Sequence, residues 1–168
     1  MQALKIYGRN EEFESLKLQI YELYEKHGKP EQLMLQTSSD YDDWQSGTGK
    51  APIADPIWET RFCRIQPSLI NTPIDRMSKS FGVSLFRMRI MAIPPKRVYS
   101  MHRDLMPRIH LPIKTNSQCY FIFKDPCEIH HLPAEGNAFW VDTTRFHTFM
   151  NGGNDVRIHL VAATAMHV

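Results

Sequence analysis

The tripeptide His102-Arg103-Asp104 sets an imidazole and a carboxylate two residues apart. On an extended strand such residues point the same way, with Arg103 turned aside. They supply two of the three ligands of a 2-His-1-carboxylate facial triad, a set that suits ferrous iron and keeps coordination positions open. The third ligand must come from downstream. His147 has the best context, in TTRFHTFM just before Asn151-Gly152-Gly153, a strong hairpin signal. His130 and His131 are adjacent, so on a strand their rings point opposite ways and cannot share a metal.

A three-residue loop at 151–153 would pair 147 with 157 and place His147 and Arg157 on one face. A two-residue loop at Gly152-Gly153 would turn Arg157 away. The three-residue version is preferred because it also leaves Val156, Ile158 and Leu160 on the dry face. A 2-oxo acid can chelate such a metal through its carboxylate and keto oxygen, leaving one position for dioxygen. Its far carboxylate needs a fixed cation, and Arg157 fits, since guanidinium grips carboxylates in a two-pronged way. Arg108 and His110 face one side of the alternating stretch Arg108-Ile109-His110-Leu111 and could contact the near carboxylate. The same four residue types recur at Arg157-Ile158-His159-Leu160. His159 is read as a histidine hydrogen-bonded within the sheet. Arg145 shares a face with His147 and could meet a substrate carboxylate; a surface salt bridge is the competing reading. Trp140 could line the mouth, although tryptophan is more often core. Arg87 and Arg89 alternate with Met88 and Ile90, facing either the pocket or solvent.

These residues need a scaffold. Asn10 can cap a helix from about Glu11 to His27, with Gly28 past its end. Phe13, Leu16, Ile20, Leu23 and Tyr24 give that helix one apolar stripe, suited to the outside of a sheet. Gln32 to Thr37 reads as a short strand, and Ile74 to Phe81 as a second helix. Strands are predicted at 84–93, 108–112, 118–123, 128–132, 137–141, 146–150 and 156–162. Their spacing indicates an antiparallel sandwich or barrel. Residues 38–56 form a long polar loop, the kind that is usually functional or disordered. GTGK within it (Gly47 to Lys50) is not a phosphate loop, because the first glycine of that pattern and the strand leading into it are missing.

The 168 residues suffice for one well-cored domain, and 42% hydrophobic with 23% charged residues is a globular composition. A net charge of +2 is too mild to make nucleic acid the main partner. No stretch is apolar for the length a membrane span needs. Charges come too early in the first residues for a secretory signal. Three cysteines without C-x-x-C spacing suggest neither a disulfide framework nor a zinc knuckle, so a reducing cytoplasm is the expected compartment. Nothing in the sequence specifies an oligomeric state.

The HRD tripeptide, RIHLPI-x-TN at Arg108 to Asn116, the glycine turn after His147 and an arginine ten residues beyond that histidine together resemble the Fe(II)/2-oxoglutarate-dependent dioxygenases. Within these the pattern is similar to the aspartyl/asparaginyl β-hydroxylase-like branch, which also includes free-proline hydroxylases. The resemblance covers about Phe86 to Thr164. It implies a mainly β fold, the cupin-like double-stranded β-helix or jelly roll, with N-terminal helices packed on one sheet. It implies one domain over 1–168, with a helical part at 1–83 and the jelly-roll core at 84–168. It implies Fe(II) bound by His102, Asp104 and His147, and 2-oxoglutarate held by Arg157, Arg108 and His110. The reaction implied is O2-dependent hydroxylation of an amino acid, free or within a peptide or protein. Some animal members of the branch lack the metal-binding carboxylate, whereas this chain has Asp104.

Two other classes stay open at this point. A metal-dependent cupin that ignores 2-oxoglutarate would usually show H-x-H on its first strand, which is missing here. A non-catalytic jelly-roll binding module would have no reason to keep an intact ligand set. The loop at 38–56 is expected to close over the pocket and help select substrate.

Overall fold

Alternation of apolar and polar side chains turns the second half of the chain into strand after strand, and two antiparallel sheets result. The computed structural model describes residues 3–40, 42–50 and 55–165. In chain order the elements are β1 (Leu4–Arg9), α1 (Phe13–Lys26), β2 (Gln32–Met34), β3 (Gln36–Thr37), α2 (Pro56–Thr60) and β4 (Arg64–Ile65). A short 3-10 turn (Pro67–Leu69) and α3 (Pro73–Ser80) follow. Then come β5 (Leu85–Ile93), β6 (Arg97–Val98), β7 (Arg108–Lys114), β8 (Cys119–Phe123) and β9 (Glu128–His130). The last three are β10 (Asn137–Val141), β11 (His147–Asn151) and β12 (Arg157–Thr164).

The major sheet runs β1-β10-β7-β12-β5-β2 and the minor sheet β6-β11-β8-β9. The fold is mainly β, a jelly roll. On the outer face of the major sheet, Met88, Ile90, Ile109, Leu111, Ile158 and Leu160 pack against the helices. The stripe Phe13, Leu16, Ile20, Leu23 and Tyr24 of α1 covers them, as the periodicity predicts. Between the sheets a second cluster joins Met91, Ile93, Val141 and Val161 to Phe121, Phe123 and Phe149 of the minor sheet.

Some local details differ from the sequence reading. The first helix begins at Phe13 because Asn10 Oδ1 takes the Glu12 amide hydrogen in a turn (2.8 Å). The segment 32–37 divides into two short strands: β2 joins the major sheet, whereas β3 pairs with β4 in a separate two-stranded sheet. The N-terminal part is not only helical: β1 and β2 form the two edges of the major sheet. The turn Asn151-Gly152-Gly153 is not a hairpin. β11 pairs with β6 and β8, whereas β12 pairs with β5 and β7, so His147 and Arg157 lie in opposite sheets and are not cross-strand partners. The cause is Asn151, which is fully buried. Its Nδ2 donates to the carbonyls of Ile93 (3.0 Å) and Asp155 (2.7 Å), and its Oδ1 accepts from Gly153 N–H (3.1 Å). These bonds carry the chain across the corner from one sheet to the other.

The repeated tetrapeptides end up as neighbours. Leu160 of β12 pairs with Leu111 of β7, so both copies turn Ile and Leu to the helices and Arg and His to the space between the sheets.

Candidate metal centre

The three proposed ligands come together. One donor atom from each of His102, Asp104 and His147 lies within 4.8 Å of the other two. Residues 102–104 are not a continuous strand; the backbone pins them individually. His102 and His147 form an isolated antiparallel bridge, with N–H to O distances of 2.9 and 2.7 Å. Asp104 N–H donates to Thr143 O (2.7 Å) in the turn before β11. Two segments some forty residues apart in sequence are thereby held in register.

The ring orientations are fixed as well. His102 Nδ1 meets Ser100 O at 2.7 Å and His147 Nδ1 meets Arg145 O at 2.9 Å. A carbonyl only accepts, so each Nδ1 carries the proton and each Nε2 keeps a lone pair for a metal. Burial pushes the His147 imidazole down, which favours the neutral form that ligation requires.

Asp104 is held through one oxygen. Arg108 Nε donates to its Oδ2 at 3.0 Å, leaving the other oxygen for a cation. Burial would raise this carboxyl, but the Arg108 guanidinium, followed by His147 and Arg89, overrides it and holds the group at about 2. The rest of Arg108 is engaged by Glu59, with Nη1 to Oε2 at 2.6 Å and Nη2 to Oε1 at 2.7 Å. The expectation that Arg108 grips a ligand's near carboxylate therefore meets a fork already filled by a protein carboxylate. Glu59 also receives Arg87 Nη1 at 2.6 Å. It lies on the five-residue α2, where Asp55 caps the Ile57 amide (2.9 Å). No metal-ligand or phosphate pattern surrounds Glu59 in the sequence; only its place beside Trp58, over which Arg87 also sits at 4.7 Å, could have suggested an arginine partner.

Beyond the triad, between the sheets, polar atoms stand without partners. His110 Nδ1 and Nε2, His159 Nε2, Arg157 Nη1 and Arg89 Nε are all buried and unpaired. Arg157 Nη2 donates to His159 Nδ1 at 2.9 Å, and its guanidinium lies over Phe149 at 4.7 Å. His159 is thus hydrogen-bonded within the sheet, to a cavity arginine. His110 stands edge-on to Phe121 at 4.9 Å and 5.7 Å from the His159 ring. Burial pushes both imidazoles well below their usual range, and Arg157 adds to the effect in each case. Burial also lowers Arg157, to about 9. Buried polar atoms are normally satisfied. A row of unsatisfied donors and cations beside a His-Asp-His set fits an anion with several oxygens, such as a dicarboxylate.

Other candidates lie elsewhere. Trp140 does not line the mouth: it is buried between the major sheet and the helices. Alternation along β10 gives the cavity side to Phe139 and Val141 instead. Arg145 donates to Glu128 Oε1 (2.9 Å) and Asp125 O (2.8 Å) and stacks over Phe123 at 5.1 Å. Arg87 and Arg89 are buried, at 2% and 6% exposure, which overturns the reading of a solvated strand face. In the loop expected to act as a lid, Tyr41 and residues 51–54 lie outside the described residues. Its described part is tied down. Trp44 packs on His27 with ring centroids 4.6 Å apart, and Arg87 binds the carbonyls of Gly47 (2.7 Å) and Gly49 (2.6 Å).

Among the described residues, no helix is long and apolar enough to cross a membrane. The family model described as Aspartyl/Asparaginyl beta-hydroxylase matches residues 12–165. No curated protein matches the sequence. Among solved structures, AviO1 from Streptomyces viridochromogenes Tue57 is similar at 12% identity and TM-score 0.52, over 99% of this chain and 91% of that one. EvdMO1 is similar at 15% identity and TM-score 0.54, over 98% of this chain but 48% of that one. An oxidoreductase of the 2OG-Fe(II) oxygenase family from Burkholderia pseudomallei gives 16% identity and TM-score 0.47, over 81% and 68% of the two chains.

Proposed function

The chain belongs to the aspartyl/asparaginyl beta-hydroxylase family, and from that premise we propose that it hydroxylates an amino acid, free or as a residue of a peptide or protein, using Fe(II), 2-oxoglutarate and O2. The observation that carries this reading is the convergence of His102, Asp104 and His147 within 4.8 Å, next to a buried row of unpaired donors. When bound, ferrous iron and 2-oxoglutarate supply an O2-driven hydroxylation in which 2-oxoglutarate leaves as succinate and carbon dioxide.

The chain's own residues position, neutralise and exclude. His102 and His147 offer Nε2, with Nδ1 tied back to carbonyls. Asp104 offers a carboxylate kept ionised by Arg108. Arg157 takes the distal carboxylate of 2-oxoglutarate with its unpaired Nη1, oriented by His159 and by the ring of Phe149. His110, neutral and unpaired, donates to an oxygen of the same molecule. Phe121, Phe123 and Phe149 close the cavity from the minor sheet and keep water from the bound groups, which strengthens every charge interaction inside.

The test is anaerobic. Fe(II) and 2-oxoglutarate added together should give the weak visible charge-transfer band of a chelated 2-oxo acid, and His102→Ala should lose it. A wild-type protein without the band, or a His102→Ala variant that keeps it, counts against the assignment. Substrate class then follows from screening amino acids and peptides for stimulated succinate formation.

A further inference from the structure

Four arginines, Arg87, Arg89, Arg108 and Arg157, are buried on or beside the cavity wall, each 6% exposed or less. Among the described residues the only carboxylates paired with any of them are Glu59 and Asp104. Glu59 bridges Arg87 and Arg108, and Asp104 takes Arg108 Nε. Arg89 and Arg157 have no carboxylate among the described residues, and each leaves a buried nitrogen unpaired. Among the described residues the one hydrogen bond of the Arg89 side chain is a long one, 3.5 Å, to Arg87 O. A buried guanidinium without a carboxylate is costly, so a ligand carboxylate that completes it stabilises the folded state.

The register places Arg89. Along β5, Met88, Ile90 and Ala92 face the helices, while Met91 and Ile93 face the minor sheet. Arg89 therefore looks into the cavity. It pairs with Val161, which pairs in turn with His110. Arg157 pairs with Ile93, four residues further along the same pair of strands, a separation of roughly 13 Å at the usual rise. Each arginine side chain is long enough to reach several ångströms along the cavity wall, so the two guanidinium groups are within range of opposite ends of a small dicarboxylate. Arg89 stands toward the metal end: its partner Val161 also pairs with His110, two residues from the Arg108 that holds Asp104.

We propose that Arg89, and not Arg108, is the cation that receives the carboxylate next to the keto group of 2-oxoglutarate. The inference rests on the functional reading above and deepens it. Arg108 is engaged by Asp104 and Glu59; among the described residues Arg89 and Arg157 are the buried arginines without a carboxylate, one for each end of a dianion.

Calorimetric titration of Mn(II)-loaded protein with 2-oxoglutarate and with oxalate, which offers only metal-end carboxylates, tests this. Arg89→Gln should weaken both ligands at least tenfold. Arg157→Gln should weaken 2-oxoglutarate at least tenfold and leave oxalate within twofold. Arg89→Gln binding both ligands within twofold of wild type, at unchanged Mn(II) affinity, overturns the proposal; a carboxylate of the substrate would then be the partner of Arg89. If Arg89→Gln does not fold, Arg89→Lys is titrated instead. Its point charge loses the two-pronged grip, so wild-type affinity in that variant overturns the proposal too. A wild-type protein that binds oxalate but no 2-oxoglutarate fails the functional reading, and the role of Arg89 is then decided by oxalate alone.

Discussion

Glu59 is not one of the three candidate ligands, yet the metal end of the cavity depends on it through Arg108. Burial would raise its carboxyl, yet Arg108 and Arg87 together hold it below its ordinary value of 4.5. Removing one partner of a buried ion pair leaves the others uncompensated, at a cost of about 3–5 kcal/mol. Glu59→Gln should therefore lower the melting temperature by on the order of 10 °C and weaken Mn(II) binding, because Arg108 no longer holds Asp104 from a fixed position. The pH dependence has a definite sign. Glu59 and Asp104 are both depressed in the folded protein, Asp104 from 3.8 to about 2. The unfolded chain thus takes up protons first as pH falls. Their stabilisation is complete above about pH 5 and is lost progressively toward pH 2. Urea midpoints measured from pH 6 down to 3 should fall steeply for wild type and less steeply for Glu59→Gln. Parallel curves would mean that Glu59 is not ionised in the fold.

At the scale of elements, the sequence made the strands of the core legible and their partners less so. Alternation marks strands at 84–93, 108–112, 137–141 and 156–162, within two residues of the observed bounds, because each has one face on the helices and one on the cavity. Pairing is set by longer-range contacts. The Asn-Gly-Gly turn has hairpin chemistry, but Asn151 spends its amide on Ile93 and Asp155, and those partners are visible only in three dimensions. The triad was legible because its residue types are specific and two of its members are near neighbours. Glu59 was not, since α2 has five residues and no periodicity. A bulge on β5, with Arg87 at φ +51°, turns that arginine off the sheet toward Glu59 and the loop. On the loop side, Gly47 has φ +98° and a Cβ there would stand 2.7 Å from Phe62. Gly47→Ala should cost at least about 1 kcal/mol. It should also loosen the carbonyl held by Arg87, which limited proteolysis within 42–50 would register as faster cutting.

The whole molecule is a jelly roll whose interior interleaves an apolar cluster with buried cations. Phe121, Phe123 and Phe149 against Ile93, Val141 and Val161 stabilise the sandwich by their burial, and Arg157 lies over Phe149 within it. The cations do the opposite until an anion enters, because Arg89 and Arg157 are buried with no carboxylate opposite them among the described residues. A ligand that binds only the folded state adds stability by mass action, about 2.7 kcal/mol at a hundred times its Kd. For a chain of this size that is a rise in Tm of about 5–10 °C. Mn(II) with saturating 2-oxoglutarate should produce such a rise. Succinate, which lacks the keto oxygen for chelation, should produce a smaller one, and Arg157→Gln should remove most of the 2-oxoglutarate effect while keeping that of Mn(II) alone. Equal shifts from succinate and 2-oxoglutarate would show that the anion sits on the arginines without reaching the triad, and would separate the buried cations from the metal centre beside them.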